Sequence, residues 1–314
     1  ALTIEIKQTE DGYELIKRDS KQPVLYRDFP LIGSEKFYFP FTLNGFRLCP
    51  TEKRDNIPLN GEHNEEAKDN RTIIEHAVDT AIKFNEWLIA HNATNRYLLA
   101  FSRRPEPEVA YDERVALPWI KDLQSEWRRQ LLSQPLTETK NGVYELSEIS
   151  VPSFAGYGES NAKSTNEKFF DLVDGFYLGR GQFPKKEHLQ GWLDVLRPEY
   201  STWNADLKYE KDDFLTDLES AKSVSQLCSQ LNKSEAEIYN WLNDVYSFLI
   251  EQNCLNDFDK YSIIPNMEGT FMKLEELSSD NSEPIPSKLM DLYNKVMPST
   301  INSKILNYSI NSAV

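Results

Sequence analysis

The sequence predicts an α+β fold: N-terminal β-hairpins packed with long helices, followed by a mainly helical second half with a late β-hairpin. Three observations predict it. Apolar and polar residues alternate on either side of Asp11-Gly12 and Asn44-Gly45, two turn pairs typical of hairpins. Apolar residues recur at helical spacing from Asn70 onward. Two short apolar runs flank the turn Asn266-Met-Glu-Gly269.

Thr3 to Lys7 and Tyr13 to Lys17 form the arms of the first expected hairpin, closed by Glu10-Asp11-Gly12. Phe37 to Leu43 and Phe46 to Cys49 form the arms of the second. Asn44 and Gly45 are its structural turn, supplying positive φ, and Pro40 is placed on an edge or at a bulge. From Asn70 to Ala90 the positions Ile73, Ile74, Ala77, Val78, Ala81, Ile82 and Leu88 predict an amphipathic helix, with Thr72 and Glu75 as a capping box. A second helix from about Pro118 to Ser133 places Ile120, Leu123, Trp127 and Leu131 on one face and stops before Pro135. An extended stretch runs from Val143 to Val151. The polar, glycine-containing segment Gly156 to Glu167 marks the domain boundary, giving subdomains 1–155 and 156–314. Beyond it, Phe169 to Tyr177, Lys186 to Leu196, Asp212 to Leu218 and Ser234 to Gln252 read as helices, the last opened by a Ser234/Glu237 capping box. The late hairpin joins Ser262–Pro265 to Thr270–Leu274, and a helix follows from about Pro286.

A chain of 314 residues exceeds the ~100 to 200 residues of one ordinary domain. Its 16 Phe, 15 Tyr and 6 Trp supply enough aromatic surface for packed interiors despite the polar average. A formal charge of -15 disfavours nucleic acid as a partner, because phosphate binding draws on clustered Lys and Arg. Cys49, Cys228 and Cys254 lie far apart and are odd in number, which suits a reducing compartment, and a cytoplasmic location is expected. No apolar run approaches the ~20 residues that span a bilayer, so no membrane association is expected. The opening Ala1-Leu-Thr-Ile enters strand-like alternation without an initiator Met and reads as the start of a segment cut from a longer protein.

Three blocks carry a resemblance: Phe29-Pro-Leu-Ile-Gly-Ser-Glu35, then Phe37 to Phe46, then Pro50-Thr-Glu-Lys-Arg-Asp-Asn-Ile-Pro-Leu59. Together they resemble the sacsin-like branch of the GHKL ATPases, relatives of the ninety-kilodalton heat-shock chaperones, in the region downstream of the ATPase domain. The helix at Asn70 and the hairpin Ile264-Pro-Asn-Met-Glu-Gly-Thr-Phe271, followed by Ile285-Pro286, are similar to that family's continuation. The resemblance implies that residues 1–155 are a transducer-like middle segment. It implies as partners the chain's own upstream ATPase domain and a polypeptide client or partner protein. The magnesium-holding helix, the Asp-x-Gly-x-Gly motif and the Gly-rich lid of that superfamily find no counterpart here. No cofactor is therefore expected in this segment, and ATP and magnesium belong to the upstream domain.

Within this picture Arg54, and after it Lys53, are the candidate sensors of bound ATP, since a guanidinium is a fixed, permanently charged fork suited to a γ-phosphate. The bland alternative is that both balance Glu52 and Asp55 on a solvated turn. The cluster Gly175 to Gly181 lacks the spacing and the Lys-Ser/Thr pair of a P-loop. His63, His76, His91 and His188 show no metal-ligand spacing. Asp212, Asp213, Asp217 and Glu219 read as a solvated helical face. Trp192, Trp203 and Trp241 read as core, with a client surface as the sharper option. Other readings are a stand-alone interaction scaffold and a part of a bacterial defence-type GHKL protein.

Overall fold

Local turn chemistry sets the start of the chain, as the sequence predicts. A computed structural model describes residues 1–37, 39–54, 57–61, 64–102, 117–155, 161–174, 182–196, 203, 206–278, 286–297 and 301–310. Strand β1 (Leu2–Thr3) is followed by β2 (Ile6–Gln8) and β3 (Tyr13–Leu15), an antiparallel hairpin in register Ile6↔Leu15 and Gln8↔Tyr13. Its turn closes with the Thr9 N–H donating to the Gly12 carbonyl at 3.0 Å. Glycine is required there by close approach: a Cβ on Gly12 would lie 2.7 Å from the Asn92 carbonyl oxygen.

The second predicted hairpin is not formed. β4 (Leu25–Arg27) turns through Asp28, at φ 61, into β5 (Phe29–Pro30), with Arg27 opposite Phe29. Ser34–Phe37 is a single 3-10 turn, and only Thr42–Asn44 forms a strand, β6. β6 lies between β1 and β4, so that Leu43 faces Leu2 on one side and Leu25 on the other, in a sheet of order β1-β6-β4-β5. A strand has two edges. With both taken at Leu43, Phe46 to Cys49 has no edge left to pair with, and the chain after Asn44 bends into a turn in which the Leu48 N–H reaches the Gly45 carbonyl at 2.9 Å. Neither Asn44 nor Gly45 has positive φ. Pro40 ends no ladder, because the aromatic run Phe39 and Phe41 enters the core before pairing begins.

Helix α1 spans Glu65–Ala90 and starts more than a turn before Asn70. Asn64 caps it, its side chain accepting from the Ala67 N–H at 3.2 Å. Thr72 therefore sits inside the helix, donating to the Lys68 carbonyl, and Glu75 accepts from the Trp119 indole at 2.7 Å instead of closing a capping box. β7 (Ala93–Thr94) joins β3 in parallel. Helix α2 (Leu117–Leu131) buries Ile120, Trp127 and Leu131 and ends ahead of Pro135. Phe39, Phe41, Phe84 and Trp127 meet edge-on or tilted, ring centres 5.5 to 6.2 Å apart, where α1 and α2 cover the aromatic run. β8 (Thr137–Thr139) and β9 (Gly142–Tyr144) form the last hairpin of this half.

The chain divides into two compact units, Ala1–Val151 with Gly181–Lys208, and Pro152–Arg180 with Tyr209–Val314. The stretch Gly181–Lys208 packs with the first unit through specific pairings. Ile149 bridges Gln182, the Lys185 N–H donates to the Glu138 carbonyl at 2.8 Å, and the fully buried Trp192 of helix Leu189–Leu196 meets Tyr97.

The second unit is built on helices Ala162–Asp174, Lys211–Ser220, Val224–Leu231, Glu235–Glu251 and Ser287–Val296. Ser234 and Glu237 form the predicted reciprocal box at the start of the longest. Its stripe Ile238, Leu242, Val245 and Leu249 is buried. Phe154, Phe169, Phe214 and Phe248 interlock in the same core. The late hairpin pairs Ile264 with Met272 and Pro265 with Phe271. Asn266 organises its turn: the buried Oδ1 accepts from the Glu268 and Thr270 N–H groups, and Nδ2 donates to the Ser303 carbonyl.

Candidate functional site

β4 and β6 run parallel, so the residues after Arg27 and after Asn44 leave the sheet at the same end. The Gly45 N–H donating to the Tyr26 carbonyl at 2.9 Å ties the two exits together. The first exit displays Phe29, 69% exposed. The second displays Phe46, 70% exposed, with the Arg47 guanidinium 5.9 Å from its ring centre. Large apolar side chains at this exposure, side by side with cations, mark a surface available for contact.

In the loop between Cys49 and Pro58, Arg54 reaches the same end. The Arg54 N–H donates to the Thr51 carbonyl at 2.9 Å, closing a turn that holds Arg54 at φ 55, in the left-handed region. From there its Nη2 donates to the Arg27 carbonyl at 2.7 Å and its guanidinium lies 5.8 Å from the Phe29 ring centre. Residues other than Gly are uncommon in that region, and Asn and Asp are the usual exceptions, so an arginine there is held by its surroundings. Both Lys53 and Arg54 are exposed.

The base of the loop is fixed by α1. Asn70, fully buried, accepts from the Cys49 N–H at 2.8 Å and donates to the Cys49 and Pro58 carbonyls at 3.0 Å each. Arg71 donates to the Leu59 carbonyl beside it. Leu48, Ile57 and Leu59 anchor the flanks in the core.

Arg47 beside Phe46 and Arg54 beside Phe29 thus form one rim at this end of the sheet, in a chain whose net charge is -15, with Lys53 exposed next to Arg54 in sequence. Among the described residues, neither Lys53 nor Arg54 stands in an ion pair, Glu52 included; Asp55 lies outside the described residues. The exposed Arg54 guanidinium has N–H groups besides the one given to the Arg27 carbonyl, and such a fork suits an anionic oxygen, with the Phe29 ring alongside. Asn44 and Gly45 contribute the β6 exit and the start of its turn.

Other sequence candidates are placed elsewhere. Trp192 and Trp203 are buried in the first unit, and Trp241 donates from its indole to the Leu172 carbonyl at 3.0 Å in the second. Asp212 pairs with Lys260 at 3.0 Å, Asp213 accepts from the Glu210 N–H, Asp217 from the Tyr209 hydroxyl and Glu219 from the Ser262 N–H, so each does local structural work. His76 is exposed and His91 contacts the Trp87 carbonyl. Among the described residues no group of three His, Cys, Asp or Glu side chains has metal-ligand geometry. His63 and the cluster Gly175 to Gly181 lie outside the described residues. No described helix is long and apolar enough to cross a membrane.

Sequence reasoning missed a second concentration of ionisable groups in the first unit. Glu138, buried, lies 3.7 Å from the Lys185 ammonium, and its Oε1 accepts from the Arg96 N–H at 3.4 Å. The Tyr97 ring sits 5.3 Å from that of His188. Burial pushes the His188 imidazole below its ordinary range, with Glu138 and Glu187 pulling the other way, and burial raises the Tyr97 phenol. The sequence carries no signal for it: Glu138 stands between Thr137 and Thr139, and His188 follows Lys185, Lys186 and Glu187, so both read as surface residues.

Fold and site define an α+β protein of two compact units, the first of which displays a basic and aromatic rim. No protein-family model, curated protein or solved structure matches the chain.

Proposed function

We propose that this chain is the non-catalytic middle, or transducer, segment of a sacsin-like ATPase related to the ninety-kilodalton heat-shock chaperones, and that Arg54 reads the nucleotide bound by an upstream domain. The observation that carries this reading is the presentation of Arg54. Its backbone is held in an unfavourable conformation, one guanidinium N–H is committed to the Arg27 carbonyl, and the side chain is exposed. Such an arrangement orients the fork before a ligand arrives, so little ordering remains for binding to oppose. ATP and magnesium are held by the upstream domain; this chain supplies charge at the phosphate. In the second unit, Leu289, Leu292 and Val296 form an exposed stripe on helix Ser287–Val296, which supports a role in holding a polypeptide client or partner.

The test joins the chain to its natural upstream domain and measures ATP turnover. Arg54→Ala is expected to lower kcat by ~10²-fold or more, as removal of a preorganised charge does, and Lys53→Ala by less. Turnover unchanged by Arg54→Ala removes Arg54 from the mechanism. The exposed Phe29 and Phe46 favour a second reading, a protein-interaction scaffold without nucleotide coupling. Under it, Phe29→Ala with Phe46→Ala abolishes partner binding and ATP has no effect on it.

A further inference from the structure

An asparagine inside a helix is a poor helix former, and a buried amide costs stability unless its hydrogen bonds are made. Asn70 is nonetheless fully buried within α1, in phase with its neighbours Ala67, Ile74 and Ala77 on the packed face. All three of its observed bonds go to the loop that carries Arg54, and to both of that loop's ends: the Cys49 N–H and carbonyl at one, the Pro58 carbonyl at the other. Because one NH₂ group donates to both carbonyls, the two ends are held at a fixed, short separation. Arg54 lies in sequence between the two ends that Asn70 holds.

We infer that Asn70 is the positioning residue of this loop: through its side-chain amide, helix α1 sets where the Arg54 fork is presented. The inference rests on the reading of Arg54 as the residue that meets the nucleotide. It adds that the loop's placement is an output of α1, so that a displacement of the helix at Asn70 moves the Arg54 loop with it.

The experiment uses the chain joined to its natural upstream domain, with ATP as the probe. Asn70→Asp keeps the size and one acceptor but removes both donors. It is expected to lower kcat by on the order of 10²-fold, as misplacement of a reacting group by about an ångström does, while the KM for ATP, set in the upstream domain, stays within about twofold. The double variant with Arg54→Ala is expected to be no slower than Arg54→Ala alone, since both changes remove the same contact. A loss in Arg54→Ala with none in Asn70→Asp overturns the inference and leaves the proposed function standing. So does a double variant slower by the product of the two single effects. No loss in Arg54→Ala overturns both. If Asn70→Asp does not fold, amide hydrogen exchange of the unmodified protein decides: the Cys49 N–H is expected to be protected like the α1 amides near Ile74, and exchange as fast as at the exposed Lys53 overturns the inference.

Discussion

Arg54 carries a conformational cost that can be separated from its contacts by comparing two substitutions. At φ 55, every residue with a Cβ bears roughly 1–2 kcal/mol of left-handed strain. Arg54→Ala keeps that strain and loses the bond to the Arg27 carbonyl and the contact with the Phe29 ring. The bond is exposed and worth at most about 1 kcal/mol, and the cation–π contact about 0.5 kcal/mol, so Arg54→Ala destabilises by about 0.5–1.5 kcal/mol. Arg54→Gly loses the same contacts but relieves the strain, offset by about 0.5–1 kcal/mol for the greater freedom of glycine in the unfolded chain. The glycine variant is therefore expected to be about 0.5–1 kcal/mol more stable than the alanine variant. For a unit of this size that is ~1–4 °C in Tm. Urea unfolding of the two variants side by side, compared at equal m, measures the difference. An alanine variant as stable as the glycine variant, or more so, refutes the strain on Arg54, and with it the preorganisation on which the functional reading leans. Both variants are expected to lose nucleotide coupling alike, since neither has a fork.

Two further outcomes test the first unit. Gly191→Ala raises helix propensity, which alone favours alanine by about 1 kcal/mol, yet the added Cβ would lie 2.3 Å from the Tyr97 ring. The clash is expected to dominate, giving a net loss of about 1–3 kcal/mol by thermal melting; a stabilised variant would mean that Tyr97 does not pack on the helix backbone. His188 is held below its ordinary 6.5 mainly by burial. A depressed histidine favours the neutral form in the folded state, so its stability contribution is complete above about pH 6.5 and declines as pH falls toward the lowered value. Between pH 7.5 and 5.5 the urea midpoint of the natural sequence should fall more than that of His188→Gln. Parallel pH profiles would show that His188 is not buried as described.

The features legible in the sequence are those whose causes lie within a few residues. Ser234 and Glu237 bond each other's backbone N–H groups three positions apart, Asp11-Gly12 closes a turn between strands it directly joins, and Ile264 to Met272 folds back across Asn266. The stripe of α1 was also readable, but its polar members were not. Asn70 and Asn85 fall in phase with Ala67, Ile74, Ala81 and Leu88, and a polar residue on a buried stripe is the one signal that a partner waits elsewhere: the Cys49 and Pro58 backbone for Asn70, the Gln134 side chain for Asn85. Lys53 and Arg54 were identified as candidates by residue type and resemblance; their rim could not be foreseen, because the turns that carry Phe29 and Phe46 leave the sheet at one end only after β4 and β6 align in parallel. Asn44-Gly45 shows the limit most clearly. The pair has the composition of a hairpin turn, yet Leu2 and Leu25 occupy both edges of its strand, and Gly181–Lys208 likewise joins the first unit through Ile149 and Glu138. By itself the sequence determined the Asp11-Gly12 turn, the Ser234/Glu237 cap and the helical faces, where the causes are local; tertiary structure decided which edge each strand offers to which partner, because backbone groups unsatisfied within a segment can be paired by any segment that reaches them.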